Sequence, residues 1–199
     1  PSRLARSHHR HKGCRDGMTG SRDRRAEGWS AGSSGSFTPA AERPLARLVA
    51  LGIATGAGVG YIPFAPGTFG SAAGLVLYAA VRVSGQPWLD LAAIPIVYLT
   101  GVWAAGMAER HFGHDDPGPV VIDEILGMLL TLLLLPVGWT GAFVGFVLFR
   151  IFDVLKPPPC RRAEKLPGGW GVMTDDVLAA LYAHVGLRLL IAVAPSGMF

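Results

Sequence analysis

The sequence predicts an all-α fold, a small polytopic helical membrane bundle with about five transmembrane or re-entrant helices. Three observations lead there. Half of the 199 residues are hydrophobic, only 16% are charged and the mean hydropathy is +0.38, which is too apolar for an ordinary water-soluble domain. From Pro44 onward the chain is a series of apolar runs cut by loops rich in Gly, Pro and charge. The charged residues near those runs sit at their ends rather than in their middles.

Charge divides the chain. Residues 1–36 carry eight Lys/Arg against three acids, which leaves ten against eleven in the remainder. Residues 1–40 are therefore expected to be a disordered basic N-terminal extension, rich in Arg, His, Gly and Ser with no apolar period. Such an arm could touch anionic lipid or nucleic acid, but a solvated extension is the plainer reading, and no nucleic-acid partner is assigned. Its "HHRH" lacks a folded frame to hold a metal, and no apolar signal-peptide core is read near Pro1. Cys14 and Cys160 make neither a metal nor a redox spacing, so no disulfide framework is expected. Residues 44–199 form the membrane-embedded domain.

Its elements follow in order. Residues 44–59 read as a Gly-rich, moderately apolar helix carrying Arg47, half-embedded rather than spanning. Residues 68–83, 89–108, 120–136, 138–153 and 172–194 are candidate spans. Some are short against the ~20 residues that cross a bilayer core, which implies tilt or local thinning. No internal repeat is evident. The 156–171 loop carries Lys156, Arg161, Arg162 and Lys165 against Glu164 alone, whereas loops 84–88 and 137–140 carry no Lys or Arg. The positive-inside rule puts the first in the cytoplasm and the other two outside, and alternation places loops 60–67 and 109–119 in the cytoplasm too.

That orientation gathers five carboxylates at one membrane face: Asp123 and Glu124 opening one run, Asp153 closing the next beside Arg150, and Asp175 and Asp176 opening the last. Acids near a helix N-terminus offset the helix dipole, so "IDE" and "TDD", with Thr174 as the expected cap, each have a structural explanation for at least one acid. Asp153 lies at a C-terminus, where the dipole disfavours it, and needs a partner such as Arg150 or Lys156. Neighbouring acids on a helix point apart, so one ligand per pair is expected. Carboxylates converging at a water-accessible rim suit a hard cation such as Mg²⁺, which binds one or two carboxylates together with phosphate. The uncharged loop "GYIPFAPGTFGS" adds a candidate anion seat: Pro63, Pro66 and Gly67 break the helix, Thr68 is the expected cap, and the Thr68 and Ser71 hydroxyls would face the same interface. It lacks the Lys of a nucleotide-binding P-loop, and a simple Pro-Gly turn is the alternative.

Four motifs, in order, carry a family resemblance: "APGTFGS" at 65–71, "VVIDEILGM" at 120–128, "FRIFDVLKPPP" at 149–159 and "GGWGVMTDDVLAALYA" at 168–183. Together they resemble the phosphatidylglycerophosphatase A family. The resemblance implies Mg²⁺-dependent removal of the terminal phosphate of phosphatidylglycerophosphate, a phospholipid substrate, and a multi-pass protein of the bacterial inner membrane with its active site on the cytoplasmic side. It marks Asp123, Glu124, Asp153, Lys156, Asp175 and Asp176 as catalytic candidates, with Pro66, Gly67, Thr68 and Ser71 for substrate phosphate, and makes residues 44–199 the phosphatase domain. Ala180 departs from the expected Gly. Asp123 or Glu124, Asp153 and one of Asp175 and Asp176, with Asp176 favoured, would hold Mg²⁺. Lys156, or less directly Arg150, would offset phosphate charge, and the remaining acid would orient water or act as nucleophile. Neither cysteine has an Arg six residues on, which argues against a Cys-based phosphatase, and no D-x-D-x-T nucleophile motif occurs. A small cation carrier or channel would want acids at mid-membrane or at both faces, and a non-enzymatic anchor would leave the cluster unexplained.

Overall fold

The computed structural model describes residues 44–194, and the expectations for the basic extension, Cys14 included, lie outside them. The described residues are all-helical: α1 Pro44–Ala54, a 3₁₀ turn at Val59–Tyr61, α2 Pro66–Val83, α3 Pro87–Phe112, α4 Ile122–Thr131, α5 Trp139–Leu155, α6 Cys160–Ala163 and α7 Gly169–Val193. Proline stands at the start of α2 and α3, where its fixed φ suits a helix and its missing N–H is not needed. Gly113, in the left-handed region at φ 78°, closes α3, and Lys156 closes α5 at φ 45°.

The bundle is organised around one short helix. α4 is ten residues, about 15 Å, and eight of them are buried: Ile122, Asp123, Ile125, Leu126, Gly127, Met128, Leu129 and Thr131. A helix apolar nearly all round belongs in a core, and α2, α3, α5 and α7 enclose this one. One apolar cluster joins its first half to α1, α3 and Met173 of α7, and another joins Met128 and Leu129 to Tyr78, Phe149 and the Ala179, Ala183 and Leu187 face of α7. Close approach of α2 depends on two small residues one turn apart. A Cβ on Gly70 would stand 2.7 Å from Val121 Cβ, and one on Gly74 would stand 2.7 Å from Met128 Cβ. Backbones can meet this closely only where side chains are absent.

The outer surface is apolar. Leu91, Ile96, Leu99 and Trp103 of α3, Phe143, Val147 and Val154 of α5, and Leu181, Val185 and Leu189 of α7 are all exposed, spaced to form stripes facing away from the core. This inverts the arrangement of a water-soluble helix. α3 and α7 are long and apolar enough to cross a membrane, at 26 and 25 residues. The 120–136 run departs from the expectation of one span: α4 stops at Thr131, and the chain turns through Leu134 at φ 53°. A run apolar enough to cross lipid is equally suited to being enclosed by other helices, and here the small-residue face of α2 encloses it.

Candidate active site

α4 brings its first turn to the centre of the bundle, so Asp123 and Glu124 stand where the sequence expected them relative to their helix. α7 does not begin at Thr174. It begins at Gly169, so Asp175 and Asp176 lie in its second turn, and Thr174 is no cap; its hydroxyl instead lies 3.0 Å from the Tyr98 hydroxyl. The helix-dipole explanation of that pair therefore falls away. Two carboxylates inside a long helix, 5% and 3% exposed, require another reason to be there.

Asp123, Glu124 and Asp176 each offer an oxygen within 4.8 Å of the others. Asp123 Oδ1, Glu124 Oε2 and Asp176 Oδ2 are buried with no hydrogen-bond partner among the described residues. Three converging carboxylates with orphaned oxygens repel one another unless a cation or protons intervene, so this donor set fits a hard divalent ion. Both members of the α4 pair join the trio, against the expectation of one per pair. Adjacent positions diverge at Cβ, but the longer Glu124 side chain reaches round. In the α7 pair the expectation describes the geometry, because Asp176 joins the trio and Asp175 turns to Lys156.

The cations are fixed by the acids left over. Arg150 Nη1 lies 2.8 Å from Asp153 Oδ2, 3.8 Å from Glu124 Oε1 and 3.5 Å from the Ser71 hydroxyl. Asp153 thus has the partner its helix position demands. Lys156 Nζ lies 2.6 Å from Asp175 Oδ2 and 2.5 Å from Glu164 Oε1. Partial burial works against the Lys156 charge, but the hydrogen bonds to Asp175 and Glu164 outweigh it and hold the ammonium above its ordinary pKa.

Asp123, Glu124, Asp153, Lys156, Asp175 and Asp176 line one cleft of about 370 Å³, together with Arg150, Asp116 and the Ala65, Pro66 and Gly67 corner where α2 begins. The opening loop departs from expectation beyond Gly67. Ala65 holds the cap position, α2 starts at Pro66, and the Thr68 N–H bonds the Ala65 carbonyl at 2.9 Å, so Thr68 does not cap. Thr68 is exposed and off the cleft wall, while the buried Ser71 hydroxyl donates to the Gly67 carbonyl at 2.8 Å. Pro at the first helical position starts the helix two residues before a Thr can cap it. Gly67 is where the loop meets the acids: a Cβ there would overlap Glu124 Oε1 and stand 3.0 Å from both Arg150 terminal nitrogens. Sequence reasoning missed Asp116, whose "HDDPG" context reads as a turn; its place in a loop assigned to the acid-bearing face was the available signal. Ala180 is fully buried against its neighbours, and its methyl fits.

Fold and site define a class: a helical bundle with an apolar exterior and a carboxylate-walled cleft at one end. The chain belongs to the phosphatidylglycerophosphatase A family, whose sequence model matches residues 52–191, and is by that membership a lipid phosphatase. It is 39% identical over 135 residues to "Phosphatidylglycerophosphatase A" of Haemophilus influenzae, covering 67% of this chain and 83% of the relative. The Escherichia coli protein of that name is 36% identical over 132 residues, 65% of this chain and 76% of the relative. A Bacteroides thetaiotaomicron protein named "Putative phosphatidylinositol-3-phosphatase" is 40% identical over 149 residues, 71% of this chain and 91% of the relative. No solved structure matches significantly.

Proposed function

We propose that the protein hydrolyses the terminal phosphomonoester of phosphatidylglycerophosphate with Mg²⁺, at the cytoplasmic face of the bacterial inner membrane, to give phosphatidylglycerol. One observation carries this reading: Asp123, Glu124 and Asp176 each bring an oxygen within 4.8 Å of the others, and each has one buried carboxylate oxygen without a hydrogen-bond partner among the described residues. Those three would hold the ion, with Asp153 beside them on the cleft wall. When bound, Mg²⁺ supplies positive charge that polarises a phosphoryl oxygen.

The chain's own residues supply the rest. Arg150, fixed between Asp153 and Glu124, presents a cation beside Gly67 at the cleft wall and would orient the incoming phosphate. Lys156 keeps Asp175 in place and offsets negative charge at the edge of the cleft. Asp153, held by Arg150 and outside the trio, is the acid left to orient the attacking water. The apolar exterior would keep the lipid tails in the bilayer, with α2, α3, α5 and α7 as spans and the enclosed α4, continued by residues 132–138, completing the fifth crossing. A phosphomonoester on a lipid head group is common to the names of all three relatives, which supports that substrate class above any one lipid.

The test is phosphate release from phosphatidylglycerophosphate in mixed micelles, with Mg²⁺ or with a chelator, for the wild type and Asp176→Asn. Release is expected only with the metal. The variant should lose more than the roughly 10- to 100-fold typical of an outer-shell change, yet melt no lower without metal, because one repulsive charge is gone. Full activity in chelator, or in the variant, would sink the assignment.

A further inference from the structure

We propose that the substrate lipid enters the cleft sideways out of the bilayer, between the start of α2 and the end of α5, and that Phe64 and Val154 form the seat of its acyl chains there; the proposal rests on the lipid-phosphatase reading above. The phosphomonoester must reach the carboxylates while the hydrocarbon stays out of water, and the flanks of the cleft are unequal in allowing this. Between α5 and α7 the cleft is latched. Lys156 binds Asp175 at 2.6 Å, the Phe152 and Tyr182 rings stack with centroids 5.5 Å apart, and the Tyr182 hydroxyl donates to the Pro158 carbonyl at 2.7 Å. Beside the opening loop it is closed by backbone, because a Cβ on Gly60 would overlap the Pro119 carbonyl. The flank formed by the 109–119 and 156–171 loops carries Glu109, Asp115, Asp116, Glu164 and Lys165, charges that belong in water and that hydrocarbon covers only at high cost.

The flank between α2 and α5 differs from all three. The helices meet there through Gly67 and Ser71 on one side and Arg150 on the other, and the guanidinium reaches the Ser71 hydroxyl only at 3.5 Å, a long and weak contact. Its rim is apolar. Val154 lines the cleft yet is 72% exposed, and Phe64, next to Ala65 of the cleft wall, is 80% exposed. Val154 also ends an outward stripe on α5, made by Phe143, Val147, Ile151 and Val154, whose steps of three and four residues keep it on one helix face. From Phe143 to Val154 the helix rises about 16 Å, close to one leaflet of a hydrocarbon core about 30 Å thick. An acyl chain laid along this stripe with its methyl end at mid-bilayer has its glycerol end at Val154, where the wall turns from hydrocarbon to Arg150 and Asp153. A diacyl lipid bearing phosphate is the occupant this suits, since the apolar surface for its chains and the cation for its charge stand one turn apart on one helix.

The experiment compares long- and short-chain forms of one substrate with Mg²⁺: dioleoyl phosphatidylglycerophosphate in mixed micelles, and the dihexanoyl form as a water-soluble monomer. The full chain is assayed as wild type, Phe64→Ser, Val154→Ser, the double variant and Leu99→Ser, an exposed apolar position of α3 away from the cleft wall. The ratio of kcat/KM for the long chain over the short is expected to fall about threefold in each single variant and about tenfold in the double, through KM, and to keep its wild-type value in Leu99→Ser. All three side chains are exposed, so the core that folds the bundle is untouched, and a ratio read within one preparation cancels any change in the folded fraction. An unchanged ratio in the double variant overturns the seat. So does an equal fall in Leu99→Ser, which would make any outward apolar residue equivalent to these two. A wild type that releases phosphate from neither lipid overturns the function reading and the entry route with it.

Discussion

Gly67 is the residue on which the opening loop and the acids both depend. A methyl group there would meet Glu124 Oε1 and the Arg150 guanidinium, so Gly67→Ala must displace one of them. Overpacking of this kind costs about 1–3 kcal/mol, and the displaced group belongs to the cleft, so turnover per folded molecule should fall along with the melting temperature. A variant that melts early but turns over normally would separate Gly67 from the site. Thr68 is the contrast. Exposed and without a capping role, it should tolerate Val with a stability change within about 0.5 kcal/mol and unchanged turnover. At this scale the sequence was legible in part. The acids announced themselves as charges beside apolar runs, and the helix-end argument singled out Asp153 as needing the partner that Arg150 provides. Thr68 and Thr174 were misread for one reason: a hydroxyl beside a helix reads as a cap, but Pro66 and Gly169 had already begun each helix.

Among the elements, the α5 to α7 connection carries one lysine that bridges two acids. Lys156 ties the end of α5 to Asp175 of α7 and to Glu164 just past α6. Removing one partner of a fully buried pair costs about 3–5 kcal/mol, and the Lys156 side chain is 24% exposed, so Lys156→Met should cost less than that. Because the folded-state pKa of Lys156 is raised, its contribution is fully present below the unfolded value near 10.4 and is lost only as pH rises through the folded one. The difference in denaturant midpoint between wild type and Lys156→Met should therefore be the same at about pH 7 and pH 9. A difference that vanishes by pH 9 would show that the ammonium is not held as described. The apolar runs gave the helices their places, but not which of them is enclosed: hydropathy alone cannot tell the outward-facing run of α3 from the enclosed run of α4. The distinguishing information sits on α2, where Gly70 and Gly74 admit the α4 backbone.

For the molecule as a whole, orientation decides which side of a membrane the proposed metal site would face. The basic 156–171 loop and the cleft lie at one end of the bundle, since Lys156 belongs to both, and the 84–88 turn follows the far end of α2. Gly168 and Gly85 both sit at positive φ and are poor sites for a probe, so exposed Arg161 and Gln86 are the better choices. With Cys14 and Cys160 replaced, Arg161→Cys should be shielded from an impermeant thiol reagent in intact cells, while Gln86→Cys should react. The reverse pattern would invert the topology. The one-face clustering was legible because loop charge and acid position are both sequence properties; that the loops meet over α4 was not, because it depends on which helices pack.

The enclosure of α4 also bears on how the protein comes apart. Beyond its first turn, which borders the cleft, its amides are covered by four other helices, and they should exchange with deuterium only when the whole bundle unfolds. Two of the acids ride on that helix. Heating the protein in detergent should therefore give one transition, with phosphatase activity and helical circular dichroism lost together; activity lost at a lower temperature than helicity would mean that α4 can leave its place while the bundle stands.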